Sequence, residues 1–210
     1  MNEQIKKFLR RTPLYQLWCL RREGLEIRAW VAAGRQLPPP PSLKQRNLRR
    51  AAKAHKLHVL VETGTFAGEM VEAMRRHFDH IYSIELSREY HDAAKKRFSA
   101  FPHIELLMGD SGVVLRSVVK NLNEPALFWL DGHYSGGITA RGINDTPIIE
   151  ELNCLYPGRF GNVVIIDDAR LFGTDPAYPS IDEIREFVLS KERGLGIDIV
   201  DDAIHITPSR

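Results

Sequence analysis

The stretch His58-Val59-Leu60-Val61-Glu62-Thr63-Gly64-Thr65-Phe66-Ala67-Gly68 decides the fold. Its apolar residues follow one another without the alternation of a half-exposed strand, as in a parallel strand buried on both faces. The run ends in a loop where Gly64 permits a tight turn and close backbone approach. Gly68 lets a following helix pack near the strand. Thr63 and Thr65 flank Gly64, so the spacing is not G-x-G-x-x-G and disfavours a nicotinamide cofactor.

Downstream, short β runs alternate with amphipathic stretches, the signature of a parallel sheet covered by helices on both faces. The strands are His58–Glu62, Ile81–Glu85, Ile104–Met108, Ala126–Leu130 and Val163–Ile166. Helices are expected over Glu69–Phe78, Glu89–Phe98, Gly112–Leu122, Thr146–Leu155 and Ile181–Ser190. Two further β runs, Ile197–Val200 and Ala203–Ile206, flank Asp201-Asp202 and read as a hairpin at one sheet edge. The fold class is therefore α/β, a doubly wound, mostly parallel, seven-stranded Rossmann-like sheet with an N-terminal helical arm.

Upstream, Ile5, Phe8 and Leu9, then Leu14, Leu17 and Trp18 beyond Pro13, followed by Leu25, Trp30 and Val31, mark two amphipathic helices. Pro38–Pro41 forms an extended connector, after which Ser42 caps a basic helix through about Ala54. Two domains follow, a basic arm over residues 1–57 and the α/β domain over 58–210.

The 210 residues carry 29 Lys and Arg against 27 Asp and Glu, a net charge of +2. That balance hides an asymmetry. Residues 1–57 hold 14 basic and 3 acidic side chains, and the remainder 15 and 24. Such an arm suits an anionic membrane surface, a protein partner, a second copy of the chain or nucleic acid, and equally its own acidic body. Nothing approaches the roughly 20 apolar residues of a membrane span, and the basic N-terminus lacks a secretory apolar core, so a cytoplasmic location is expected, peripheral to the membrane if the arm docks there. Cys19 and Cys154 have no Cys or His nearby in sequence, so neither a disulfide framework nor a zinc cluster is supported, and both read as buried thiols.

Open α/β sheets bind ligands at the carboxyl ends of their strands. Glu85 closes the second strand about twenty residues beyond the glycine loop, where a carboxylate can accept hydrogen bonds from both hydroxyls of a ribose. Asp110 and Ser111 follow the third strand, where a nucleobase edge would fall, although a helix cap accounts for them equally well. With Glu62, Gly64 and Gly68 forming an acidic-x-G-x-x-x-G loop, the chain resembles the class I S-adenosylmethionine-dependent methyltransferases from His58 to its C-terminus. The resemblance implies that Glu62, Gly64, Thr65 and Gly68 lie against the methionine part of that cofactor, with Glu85 on the ribose and Asp110 and Ser111 at the adenine.

The fourth and fifth strands end in Asp131-Gly132-His133-Tyr134 and Asp167-Asp168. If both strands are central, three carboxylates converge, and a hard cation such as Mg²⁺ would offset their repulsion. Backbone hydrogen bonds to Asp131 and a cap by Asp168 would serve as well. The arrangement resembles the metal-dependent O-methyltransferases of the catechol and antibiotic-sugar types. That implies a metal set of Asp131, Asp167 and Asp168, a small sugar-like substrate whose hydroxyl the metal activates, and His133 as base where the sugar-modifying relatives carry aspartate. A histidine that only holds its loop is the alternative reading of His133. The Gly-rich segment Tyr134–Gly142 reads as a substrate lid with Arg141 toward an acidic group, or as a surface loop. Arg170-Leu171-Phe172-Gly173 offers a second wall. Two alternatives stand beside this reading: an RNA methyltransferase using the basic arm, ranked lower, and a non-catalytic scaffold of the same fold that docks a partner or membrane.

Overall fold

The computed structural model describes residues 13–131 and 146–209. Two compact units are present, Met1–Asn47 and Leu48–Arg210. In the first, helix α1 (Pro13–Ala32) starts with proline, whose missing N–H is no loss in a first turn. It ends where Gly34 and Arg35 adopt left-handed backbone, and the Trp30 indole N–H donates to the Gln36 carbonyl at 2.6 Å. Helix α2 (Pro41–His55) also begins with proline. Ser42, expected as the cap, instead lies inside the first turn with its hydroxyl buried and without a hydrogen bond.

The second unit contains β1 (Val59–Thr63), α3 (Glu69–Met74), β2 (His80–Glu85), α4 (Arg88–Phe98), β3 (Ile104–Met108), α5 (Ser111–Asn121), β4 (Ala126–Leu130), α6 (Ile148–Leu155), β5 (Val163–Ile166), α7 (Ile181–Lys191), β6 (Leu195–Val200) and β7 (Ala203–Pro208). The strands form a seven-stranded sheet in the order β3-β2-β1-β4-β5-β7-β6. β7 runs antiparallel to β5 and β6, and the other pairs are parallel. This is the doubly wound, mostly parallel sheet expected from the strand runs.

β1, β4 and β5 are buried along their whole length, which is why their sequences are continuously apolar. Their side chains nevertheless alternate between two cores. Val59, Val61, Phe128, Leu130, Val164 and Ile166 face the core completed by α5, α6 and α7. Leu60, Leu127, Trp129, Val163 and Ile165 face the other, with Met74 and Phe98.

The helix expected over Glu69–Phe78 stops at Met74. The chain turns there so that Phe78 enters the core and the Asp79 N–H reaches the His58 carbonyl at 2.8 Å, placing β2 beside β1. The C-terminal hairpin turns at Asp201 and Asp202, both left-handed, the conformation of a two-residue turn whose twist matches its strands. Cys154 is half-buried rather than buried. Among the described residues no helix is long and apolar enough to cross a membrane.

Candidate active site at the carboxyl ends of the strands

Strand order reverses between β1 and β4, and the crevice of such a sheet opens above that point. The glycine loop leaves β1 here. Gly64 takes φ 87°, and the Gly64 and Thr65 N–H groups both donate to the Ile84 carbonyl, at 3.0 and 3.2 Å, fastening the loop to β2. At Gly68 a Cβ would lie 2.7 Å from the Phe98 ring, so the missing side chain lets α3 and α4 approach.

Beneath the loop the Ser83 hydroxyl donates to Glu62 at 2.6 Å and lies 2.6 Å from the Thr65 hydroxyl. Glu62 is 2% exposed. Burial raises its carboxyl to about 8 against the lowering hydrogen bond of Ser83, with Glu85 adding to the rise. Glu62 is therefore a neutral acid at pH 7 that supports the loop from below. The Glu85 carboxylate accepts the Phe66 N–H at 2.7 Å and the Ser87 N–H at 2.8 Å. Phe66 is left-handed at that contact and packs against Tyr90 with its ring tilted by 53°, ring centres 4.6 Å apart. Asp110 accepts the Gly112 N–H at 2.9 Å and caps α5, and Ser111 is buried in its first turn.

Across the crevice, Leu130 pairs with Ile166, which sets Asp131 beside Asp167. The Asp131 N–H reaches the Thr63 carbonyl at 3.2 Å, and the Asp167 N–H donates to the Leu130 carbonyl at 3.0 Å. Asp167 is 1% exposed. Asp168 turns left-handed and receives the Arg170 guanidinium at 2.9 Å. The same guanidinium meets Asp202, a buried carboxylate from the hairpin turn that also accepts the Arg170 N–H at 2.9 Å. Arg170 thus supplies the counter-charge of Asp168 and Asp202. Among the described residues no group of three or more His, Cys, Asp and Glu is arranged to hold a metal ion. His133, Tyr134–Gly142 and Arg141 lie outside the described residues.

Two residues that the sequence did not single out belong to this region. The Tyr178 phenol is pushed up to about 12 by burial and by the carboxylates of Asp168, Asp175 and Asp131, with Arg170 opposing. Its ring meets Phe172 edge-on at 5.3 Å. Glu151 of α6 is fully buried, and burial raises its carboxyl to about 7. The Ser111 and Thr63 hydroxyls lower it from nearby, although among the described residues neither Glu151 carboxyl oxygen has a partner in hydrogen-bond geometry, and Asp110 and Glu150 raise it further. Glu151 occupies the stripe defined by Ile148, Leu152 and Leu155, and an acid in an apolar helical stripe is the signal that would have marked it.

No protein-family profile and no curated protein sequence matches the chain. Solved structures do. The O-methyltransferase TomG from Streptomyces achromogenes, involved in tomaymycin synthesis and bound to S-adenosylmethionine, aligns with a TM-score of 0.55 at 17% identity, covering 90% of this chain and 89% of that one. An O-methyltransferase from Bacillus cereus bound to S-adenosylhomocysteine gives 0.55 at 14%, covering 88% and 90%. The N-methyltransferase NodS from Bradyrhizobium japonicum WM9 gives 0.53 at 12%, covering 80% and 95%. The chain has the fold of the class I methyltransferases, and the shared fold spans both oxygen- and nitrogen-directed enzymes.

Proposed function

We propose that the chain is an S-adenosylmethionine-dependent O-methyltransferase acting on a small hydroxylated metabolite, a sugar or glycoside. The observation that carries this reading is the tie between the glycine loop and β2, in which two backbone N–H groups fix the Glu85 carboxylate beside the crevice. Gly64, Thr65 and Gly68 would meet the methionine part of the cofactor, Glu85 the ribose, and Asp110 and Ser111 the adenine. Glu62 acts through Ser83 and Thr65 rather than by contact. The cofactor supplies an electrophilic methyl group.

This chain's residues would orient the acceptor hydroxyl and receive its proton. His133, two positions beyond Asp131, is assigned as base, since a neutral imidazole nitrogen can accept a proton. With a methyl donor held there, the acceptor oxygen would take the methyl group that the cofactor supplies, and His133 would receive the hydroxyl proton. Tyr178 and Asp131 would line the acceptor side.

A second reading, Mg²⁺ at Asp131, Asp167 and Asp168, is favoured by the juxtaposition of Asp131 and Asp167. The Arg170–Asp168 pair weighs against it, because one of the three carboxylates already has its counter-charge. The test is calorimetric titration of S-adenosylmethionine and S-adenosylhomocysteine into the purified chain, followed by methyl transfer to sugar acceptors with Mg²⁺ and with chelator. Micromolar cofactor binding with chelator-resistant transfer supports the His133 route, and transfer lost on chelation supports the metal. Absence of cofactor binding removes the whole reading.

A further inference from the structure

Helix α6 buries an acid where a leucine would fit. Ile148, Leu152 and Leu155 form its inner stripe, and Glu151 stands among them, fully buried. Among the described residues neither of its carboxyl oxygens has a partner in hydrogen-bond geometry. An acid held in this way costs stability, because its desolvation is not offset by hydrogen bonds. Buried polar groups are ordinarily paired, so one that is not calls for a reason other than packing.

Its surroundings supply one. The hydroxyls of Ser111 and Thr63 are the neighbours that favour its charged form, and Asp110 and Glu150 oppose them. Ser111 opens α5 and Thr63 closes β1, and both are buried. Thr63 in turn receives the Asp131 N–H, on its carbonyl at 3.2 Å and on its hydroxyl at 3.3 Å. α6 meets the same turn of α5 at two further points. The Cys154 thiol donates to the Gly112 carbonyl at 3.5 Å, and a Cβ on Gly112 would come 2.9 Å from the Glu150 Cβ. The turn Asp110–Gly112 is therefore seated closely against α6, and Glu151 is the acid in that contact that also neighbours the end of β1.

We propose that Glu151 is a positioning residue of the cofactor site, holding Ser111, and with it the adenine-side turn of α5, against the end of β1. That role rests on the methyl-transfer reading, which assigns the turn to the cofactor. Folding and binding should then respond with opposite signs. Glu151→Leu completes the apolar stripe and should melt at least as high as wild type at pH 8, where a carboxyl that titrates at about 7 is charged and burying it costs most. The same variant should bind S-adenosylmethionine about tenfold more weakly in a calorimetric titration. Glu151→Gln keeps a hydrogen-bonding group of the same size and should bind within about threefold of wild type. Ser111→Ala should lose about as much as Glu151→Leu, and the double variant no more than either. Wild-type affinity in Glu151→Leu overturns the proposal, and so does an affinity that falls together with the melting temperature, the mark of a purely structural residue. Losses that add in the double variant, or Glu151→Gln binding as weakly as Glu151→Leu, overturn it as well. Wild type that binds neither S-adenosylmethionine nor S-adenosylhomocysteine is a separate result, which removes the methyl-transfer reading and the proposal with it.

Discussion

The two ends of the sheet are charged in opposite senses and held in opposite ways. At the carboxyl ends of the strands Glu62, Glu85, Asp167 and Asp202 are buried, and Glu85 and Asp202 are gripped by backbone N–H groups. At the amino ends Lys53, Lys56 and His58 are exposed. Helix dipoles explain the direction: Asp110 caps the positive start of α5, while basic residues gather in the last turns of α2, α4 and α5. Burial explains the difference in consequence. Titratable groups at the carboxyl ends should be felt in stability, and those at the amino ends much less.

The largest expected effect tests the most buried acid. Because the folded Glu62 carboxyl titrates at about 8 and an unfolded one near 4.5, the folded chain keeps a proton that the unfolded chain has lost between those values. Stability therefore falls as pH rises through that window, by on the order of 4 kcal/mol for Glu62. Glu151 adds a slope of the same sign between 4.5 and about 7. Urea unfolding of Glu62→Gln from pH 5 to 9 should show a flatter profile and a more stable protein above pH 8. A profile parallel to wild type would mean that Glu62 is ionised.

Next, Asp202→Ala removes a buried partner of Arg170 and should cost about 3 kcal/mol in the same assay. A loss below about 1 kcal/mol would show that the Asp168 pair alone holds the guanidinium. Third, Glu85→Ala should weaken S-adenosylmethionine binding roughly 10- to 100-fold, corresponding to about 1.5–3 kcal/mol for a charged hydrogen-bond acceptor, and unchanged affinity would refute the ribose role. The smallest effect is expected at the amino ends. Asp79→Asn breaks only an exposed contact with His58 and should change stability by less than about 0.5 kcal/mol. A larger change would erase the contrast between the two ends.

The central strands were legible because a central parallel strand is apolar throughout and bounded by turn residues, and Ala126–Leu130 and Val163–Ile166 have the expected limits, as does the edge strand Ile104–Met108. The side-by-side placement of Asp131 and Asp167 followed from the same patterning. What escaped was fixed by distant contacts. Asp168 acquires its counter-charge from Arg170, which is itself anchored by Asp202, 32 residues further along, and no local pattern reports such a partner. The early stop of α3 depends on Phe78 entering the core. Glu151 was legible in principle as the acid in an apolar stripe, but its burial comes from α6 packing on α5, a tertiary event.

β6 closes the sheet at one side, and half of it faces outward, with Ile199 54% and Val200 43% exposed. Within Leu195-Gly196-Ile197-Asp198-Ile199-Val200 the sole charge is Asp198. An edge strand offers unsatisfied backbone groups to any neighbour in extended form, and one inserted charge is a common deterrent to such pairing. Colloidal behaviour in concentrated solution therefore rests heavily on this aspartate. Its replacement by valine would leave six uncharged residues at a free margin, and the first symptom would be chain-to-chain stacking and turbidity rather than unfolding.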